Sequence, residues 1–251
     1  MPIPIHSEIK TILHLAWPAV LGMLGGQLMN IVDMLMLGQL GEEAIATAGM
    51  GFLWSMPMIM LIQGCIRGMD PIVTQAHGAG EKRETGLAFA RGFVIAGLLL
   101  PPAMAWHLCA PWSLQLLEQP LKLIPQASKY CEALMWGIPG MLIYQVQRGY
   151  LQGVGIMRPA AMVMLGANLF NIPLNWALMH GVMDIDGLGV VGCGWSTALC
   201  QSILPIWLWL ISKHDFKSIW PGKQDIIQIK ALRRQLKLGI PIALQICFEA
   251  W

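Results

Sequence analysis

Residues 13–37 read LHLAWPAVLGMLGGQLMNIVDMLML, and among them only Asp33 carries a full charge. A bilayer core about 30 Å thick is crossed by roughly 20 mostly apolar residues in a helix, so this stretch is long enough to span a membrane. It does not read as a cleavable signal peptide, because the apolar run is too long and holds a carboxylate. Working outward, segments 44–66, 92–117, 159–183 and 187–212 contain no Asp, Glu, Lys or Arg. A weaker candidate covers 130–147 with Glu132 near one end, and a further apolar run starts at Leu236. The expected fold class is all-α: a polytopic membrane helical bundle with six transmembrane helices and the start of a seventh. Prolines at 18, 57, 101, 102, 139, 173, 205 and 241 fall inside these spans. Neighbouring helices and polar side chains can satisfy the carbonyls they free, so they predict bends.

The composition agrees. Of 251 residues, 56% are hydrophobic and 12% charged, against about 45–50% apolar and about 25% charged in ordinary soluble domains. The six cysteines form no C-x-x-C pair, so they signal neither a zinc site nor a disulfide framework and read as small apolar fillers. A net charge of +2, with no aromatics interleaved among the basic residues, gives no footprint for nucleic acid. The sequence holds no G-x-x-x-x-G-K-[ST] for a nucleotide-driven pump and no H-E-x-x-H for a membrane metalloprotease.

Basic residues set the orientation. Alternate connections collect Lys10, Arg67, Lys82, Arg83, Arg91, Arg148, Arg158, Lys213, Lys217, Lys223, Lys230, Arg233, Arg234 and Lys237, which is 14 of the 16 lysines and arginines. The other side holds Lys122 and Lys129, with acidic loops at Glu42 and Glu43 and at Asp184 and Asp186. The N-terminus is therefore expected in the cytoplasm.

An internal repeat lays LHLAWPAVL at 13–21 on LKLGIPIAL at 236–244, an offset of 223 residues sharing L-x-L-x-x-P-x-x-L. It predicts a six-helix N-terminal lobe over 1–212, a cytoplasmic linker over 213–235, and the start of a second lobe, a truncated helix 7, over 236–251. On this reading the chain is a fragment of a protein about twice 223 residues long.

Polar groups inside the spans are the candidate functional residues. An ionised carboxylate deep in a span costs up to roughly 2.5–3.5 kcal/mol on insertion scales and usually faces a cavity or a partner. Gln27, Asn30 and Asp33 recur every three residues and so share about a third of a helix surface. Asn168, Asn171 and Asn175 form a second cluster on the fifth span, and Thr197 and Gln201 share a face of the sixth. Such groups either coordinate a cation through oxygen or hydrogen-bond a neighbouring helix. Glu249 is a second intramembrane carboxylate. The 18 methionines suit core packing and also a pocket for varied ligands. Trp112, Trp207, Trp209 and Trp220, near span ends, read as interface anchors, and His107 and His180 as interfacial.

Four stretches then fall into a familiar order: VDMLMLG at 32–38, a loop PIVTQAHGAG at 71–80, NIPLNW at 171–176 and GVVGCGWSTA at 189–198. Together, over the whole chain, they resemble the multidrug and toxic compound extrusion (MATE) family, and its NorM-like bacterial branch in particular. The resemblance implies twelve helices in two lobes and export of organic cations coupled to protons or sodium ions. It places a cation site at Asp33, Asn171, Asn175 and Thr197, with sodium a possible occupant of Asp33, Asn171 and Asn175; Gln27, Asn30 and Gln201, from the polar faces of the first and sixth spans, are the expected substrate-cavity residues. Glu249 resembles the helix 7 carboxylate, whose other partners would belong to a missing C-terminal lobe. Some members carry aspartate where this chain has Asn175, so a relay of two carboxylates is not implied.

A carboxylate in a low-dielectric cavity is costly as a bare anion, so a proton, a sodium ion or a cationic drug would each occupy it. If these exclude one another, inward ion flow drives outward drug release by rocking of two lobes around a central site. The expected function is secondary active multidrug efflux from a bacterial inner membrane, with the lipid bilayer and small organic cations as partners. No enzyme chemistry and no cofactor beyond the coupling ion are expected. Two alternatives stand beside it. A lipid-linked oligosaccharide flippase would call for more cationic residues within the spans, and the chain could also be a membrane fragment that does not transport.

Overall fold

The computed structural model describes residues 5–182, 185–221 and 226–249; Asp184 and Lys223 lie outside them. Ten helices are described: α1 (Ile5–Gly38), α2 (Glu42–Arg67), α3 (Asp70–Gly78), α4 (Lys82–Leu108), α5 (Ala110–Leu116), α6 (Ile124–Met135), α7 (Ile138–Gly153), α8 (Arg158–His180), α9 (Val190–Ile219) and α10 (Ile229–Glu249). Two strands of two residues each, β1 (Gly181–Val182) and β2 (Ile185–Asp186), pair antiparallel in the turn between α8 and α9. Five helical segments are long and apolar enough to cross a membrane, those in α1, α2 with α3, α4, α8 and α9.

The fourth expected span is built differently from the others. Residues 124–153 form two helices of 12 and 16 residues that meet at Trp136 and Gly137, so neither is long enough alone. Pro139 sits in the first turn of α7, where a missing N–H costs nothing. A Cβ on Gly137 would lie 2.8 Å from Cα of Ala198, so the break occurs where the chain passes tightly over α9.

Two further differences follow from local chemistry. Most of the expected loop at 71–80 is helix α3, which Pro71 and Asp70 suit as first-turn residues, and Thr74 Oγ1 closes the turn on Asp70 O at 2.9 Å. Helix α9 continues past 212 to Ile219, and its backbone leaves helical angles at Ser212 rather than at Pro205.

The main apolar core lies where α2, α4, α7, α8 and α9 meet, around Ile62, Phe89, Leu142, Leu151, Leu208 and Phe216. Phe89 stacks on Phe216 at 5.3 Å and Phe216 on Trp209 at 5.2 Å, so Trp209 packs inward rather than anchoring an interface; Trp207 also packs against this core. Trp112 and Trp220 are exposed. His107 is buried, with Nδ1 2.9 Å from Ala103 O, which corrects its interfacial reading; His180 is exposed. Helix α10 lies against α2 through a glycine seam: a Cβ on Gly64 would run into the Ala243 backbone, and one on Gly239 into Cys65. At the opposite end of α2, Lys122 Nζ meets Glu43 Oε2 at 2.8 Å, so the connection before α6 and the turn before α2 share one end of the bundle.

Candidate functional site

Asp33 sits five residues before the end of α1 and is 8% exposed. Helices α8 and α9, joined by a tight turn, run beside it and bring two donors. Asn175 Nδ2 donates to Asp33 Oδ1 at 2.7 Å, and Thr197 Oγ1 donates to Asp33 Oδ2 at 3.0 Å. Each carboxylate oxygen thus accepts one hydrogen bond from a different helix, which suits an acceptor-only group.

Asn171 is buried beside this pair, yet its Nδ2 donates to Ser196 Oγ at 3.3 Å, not to Asp33; Ser196 Oγ in turn donates to Cys193 O at 3.2 Å. Asn168 joins helices: its Nδ2 reaches Gly25 O of α1 at 2.8 Å and Met164 O at 2.9 Å. The side-chain oxygens of Asn168, Asn171 and Asn175 are all buried without a hydrogen-bond partner. A buried acceptor left so costs about 1–3 kcal/mol, and the one on Asn175, the amide that also holds Asp33, is a hard oxygen of the kind that cations and ordered water use.

Asp33 opens on one side into a cavity of about 650 Å³ between α1, α2, α7 and α9. Gln27, Asn30, Thr197 and Gln201 all line it, and Asn30 Nδ2 is 3.5 Å from Gln27 Oε1. Met29, Met56, Met60, Met141 and Met164 supply much of the apolar wall. Glu249 is elsewhere: it is exposed on α10, accepts a hydrogen bond from Gln245 Nε2 at 2.8 Å, and does not line the cavity. Among the described residues no group of three His, Cys, Asp or Glu could hold a metal ion, so any cation here would rest on one carboxylate and amide or hydroxyl oxygens.

Sequence reasoning missed Ser196 and Cys193, whose Sγ lies 3.8 Å from Asn175 Nδ2, and the cavity-lining Ser55, Tyr130, Arg67 and Arg148. The first two had a signal. Cys193, Ser196, Thr197 and Cys200 fall at helical spacing on α9, a stripe of small polar groups on the face that meets α8.

Comparison with known proteins places these features in context. The MatE family model matches residues 18–177. The probable multidrug resistance protein NorM of Acinetobacter baylyi is 30% identical over 253 residues, covering 96% of this chain and 55% of the relative. Multidrug resistance protein PmpM of Pseudomonas aeruginosa is 29% identical, covering 98% and 52%. The chain spans about half the length of the curated relatives it matches. In fold it is similar to the eukaryotic MATE transporter AtDTX14, with a TM-score of 0.88 at 19% identity over 98% of this chain and 54% of that one. It is also similar to an outward-facing multidrug resistance MATE transporter, with a TM-score of 0.82 at 24% identity, covering 94% and 52%.

Proposed function

The chain belongs to the MatE family, and on that premise we propose that it is one lobe of a secondary active exporter of organic cations, coupled to protons or sodium ions. The observation that carries this reading is the buried Asp33. Its carboxylate is held by Asn175 and Thr197, lies beside the unpartnered amide oxygen of Asn175, and is continuous with a large methionine-lined cavity. Such a carboxylate keeps its charge in apolar surroundings only with a positive occupant. A proton, a sodium ion and a cationic ligand compete for that role. Competition links ion entry to ligand release without any covalent step, so the reading is transport and not enzyme catalysis.

The second lobe, proposed from the length of the relatives, would close the open side of the cavity and allow alternating access. The multidrug resistance relatives support drugs as cargo, and their bacterial sources support the inner membrane as the location. The lysine and arginine asymmetry supports a cytoplasmic N-terminus. For the orientation, the six native cysteines are replaced and Asp186→Cys is introduced. An impermeant thiol reagent added outside intact cells is expected to label it, and labelling only after lysis reverses the orientation.

For the site, ethidium binding to the chain in nanodiscs is measured by fluorescence. Sodium or acid is expected to displace the dye competitively. Asp33→Asn, which keeps the shape and removes the charge, is expected to weaken ethidium at least tenfold and abolish both displacements. Undiminished binding that sodium and acid still displace in that variant would remove Asp33 from the mechanism.

A further inference from the structure

We propose that the cavity has a second, anion-binding subsite at Arg67 and Arg148, which takes a carboxylate or similar oxyanion carried by the same molecule whose cationic group faces Asp33. This rests on reading the cavity as a substrate site and deepens that reading. The same face of α2 lines the cavity from Ser55 to Arg67, a run of about 18 Å at the helical rise. Ser55 bonds Cys131 beside Tyr130, which lies within electrostatic range of Asp33. Arg67 closes the last turn of α2 at the other end of that run, and Arg148 joins it from α7 one turn beyond Tyr144. The two guanidiniums are near enough to feel one another's charge. The cavity is therefore negative at one end and positive at the other.

Basic residues at helix ends are ordinarily border groups that extend to headgroups or water. These two instead line the cavity wall and are half-buried. Among the described residues neither makes an ion pair within 4 Å or a hydrogen bond. Asp70 is within electrostatic range of both. Its Oδ1, however, is buried without a hydrogen-bond partner where a Cβ on Gly149 would come within 2.7 Å of it. One carboxylate against two guanidiniums leaves an excess positive charge facing the cavity. Guanidinium forks match the two oxygens of a carboxylate, and Gln63 and Gln145 add amides to the same end. The cavity so arranged selects amphoteric ligands over simple cations.

The test uses two probes that differ in one group, tetramethylrhodamine with its free carboxylate and the same dye as its methyl ester. Binding to the chain in phosphatidylcholine nanodiscs is followed by fluorescence polarisation. Arg67→Gln and Arg148→Gln are each expected to weaken the acid about tenfold and the ester less than twofold, with Arg148→Lys losing less than Arg148→Gln. Equal losses for both probes, or none for either, overturn the subsite while leaving the cavity reading intact. Failure of both probes to bind the wild-type chain overturns the cavity reading and the subsite with it. Adding phosphatidylglycerol to the nanodiscs separates a lipid source of the anion: if the arginine dependence then vanishes, the groove belongs to lipid phosphate and the assignment to a transported molecule fails.

Discussion

The two ends of the cavity handle charge in opposite ways. At the Asp33 end a single carboxylate is caged by donors from two other helices. At the Arg67 end two cations share one offset carboxylate and bond to none of the described side chains. The first end is organised without a ligand and the second is left incomplete. A caged charge contributes to holding its helices together, whereas an open one contributes only when a counter-charge arrives. Mutations at the two ends should therefore register in different measurements, stability at one and ligand selectivity at the other.

The largest effect on stability is expected from Asn175→Leu. The substitution nearly conserves volume but leaves Asp33 Oδ1 facing an alkyl group, and losing a hydrogen bond to a charged acceptor costs about 1.5–3 kcal/mol. Unfolding of the chain in mixed micelles, followed by tryptophan fluorescence, should show that loss. A change below about 0.5 kcal/mol would mean that the cage is not formed. Thr197→Val is expected to cost less. Thr197 is only partly buried and its bond is longer, at 3.0 Å, so water from the cavity can replace the hydroxyl. Interhelical hydrogen bonds in membranes average about 0.6 kcal/mol with a maximum near 1.7, and Thr197→Val should fall in that range. If Thr197→Val costs more than Asn175→Leu, the cavity is drier at Asp33 than the geometry implies.

The same contrast explains what the sequence disclosed. Asp33, Asn175 and Thr197 stand out because they interrupt apolar spans, where polar groups are costly enough to need a reason. Their helical spacing then puts each on a definite face. Arg67 and Arg148 sit at span ends, where arginine is expected as a topology signal, and only the packing of α2 against α7 turns them toward the cavity. Asn168 and Asn171 are equally visible, and the family resemblance assigns Asn171 to the cation site, but spacing alone assigns neither. Whether an amide binds a cation or a neighbouring helix depends on what the facing helix offers, here Gly25 O and Ser196 Oγ. The break between α6 and α7 was hidden for a similar reason, since proline and glycine at 137–139 permit it but the close approach of α9 places it there.

Glu249 gives the smallest expected effect and the sharpest control on the comparison. The sequence offers it as a second candidate beside Asp33, as a carboxylate in an apolar run. In the fold it is exposed near the end of α10 and, among the described residues, bonded to Gln245 alone, four residues earlier on the same helix. An exposed pair of this kind contributes about 0.2–0.5 kcal/mol, and the Gln245 amide can donate equally well to a neutral amide oxygen. Glu249→Gln should therefore shift unfolding of this chain by less than about 0.5 kcal/mol and leave its ethidium affinity within twofold. A tenfold loss of ethidium binding in Glu249→Gln would show instead that the carboxylate acts on the cavity from within this half, and that burial is the wrong criterion for separating it from Asp33.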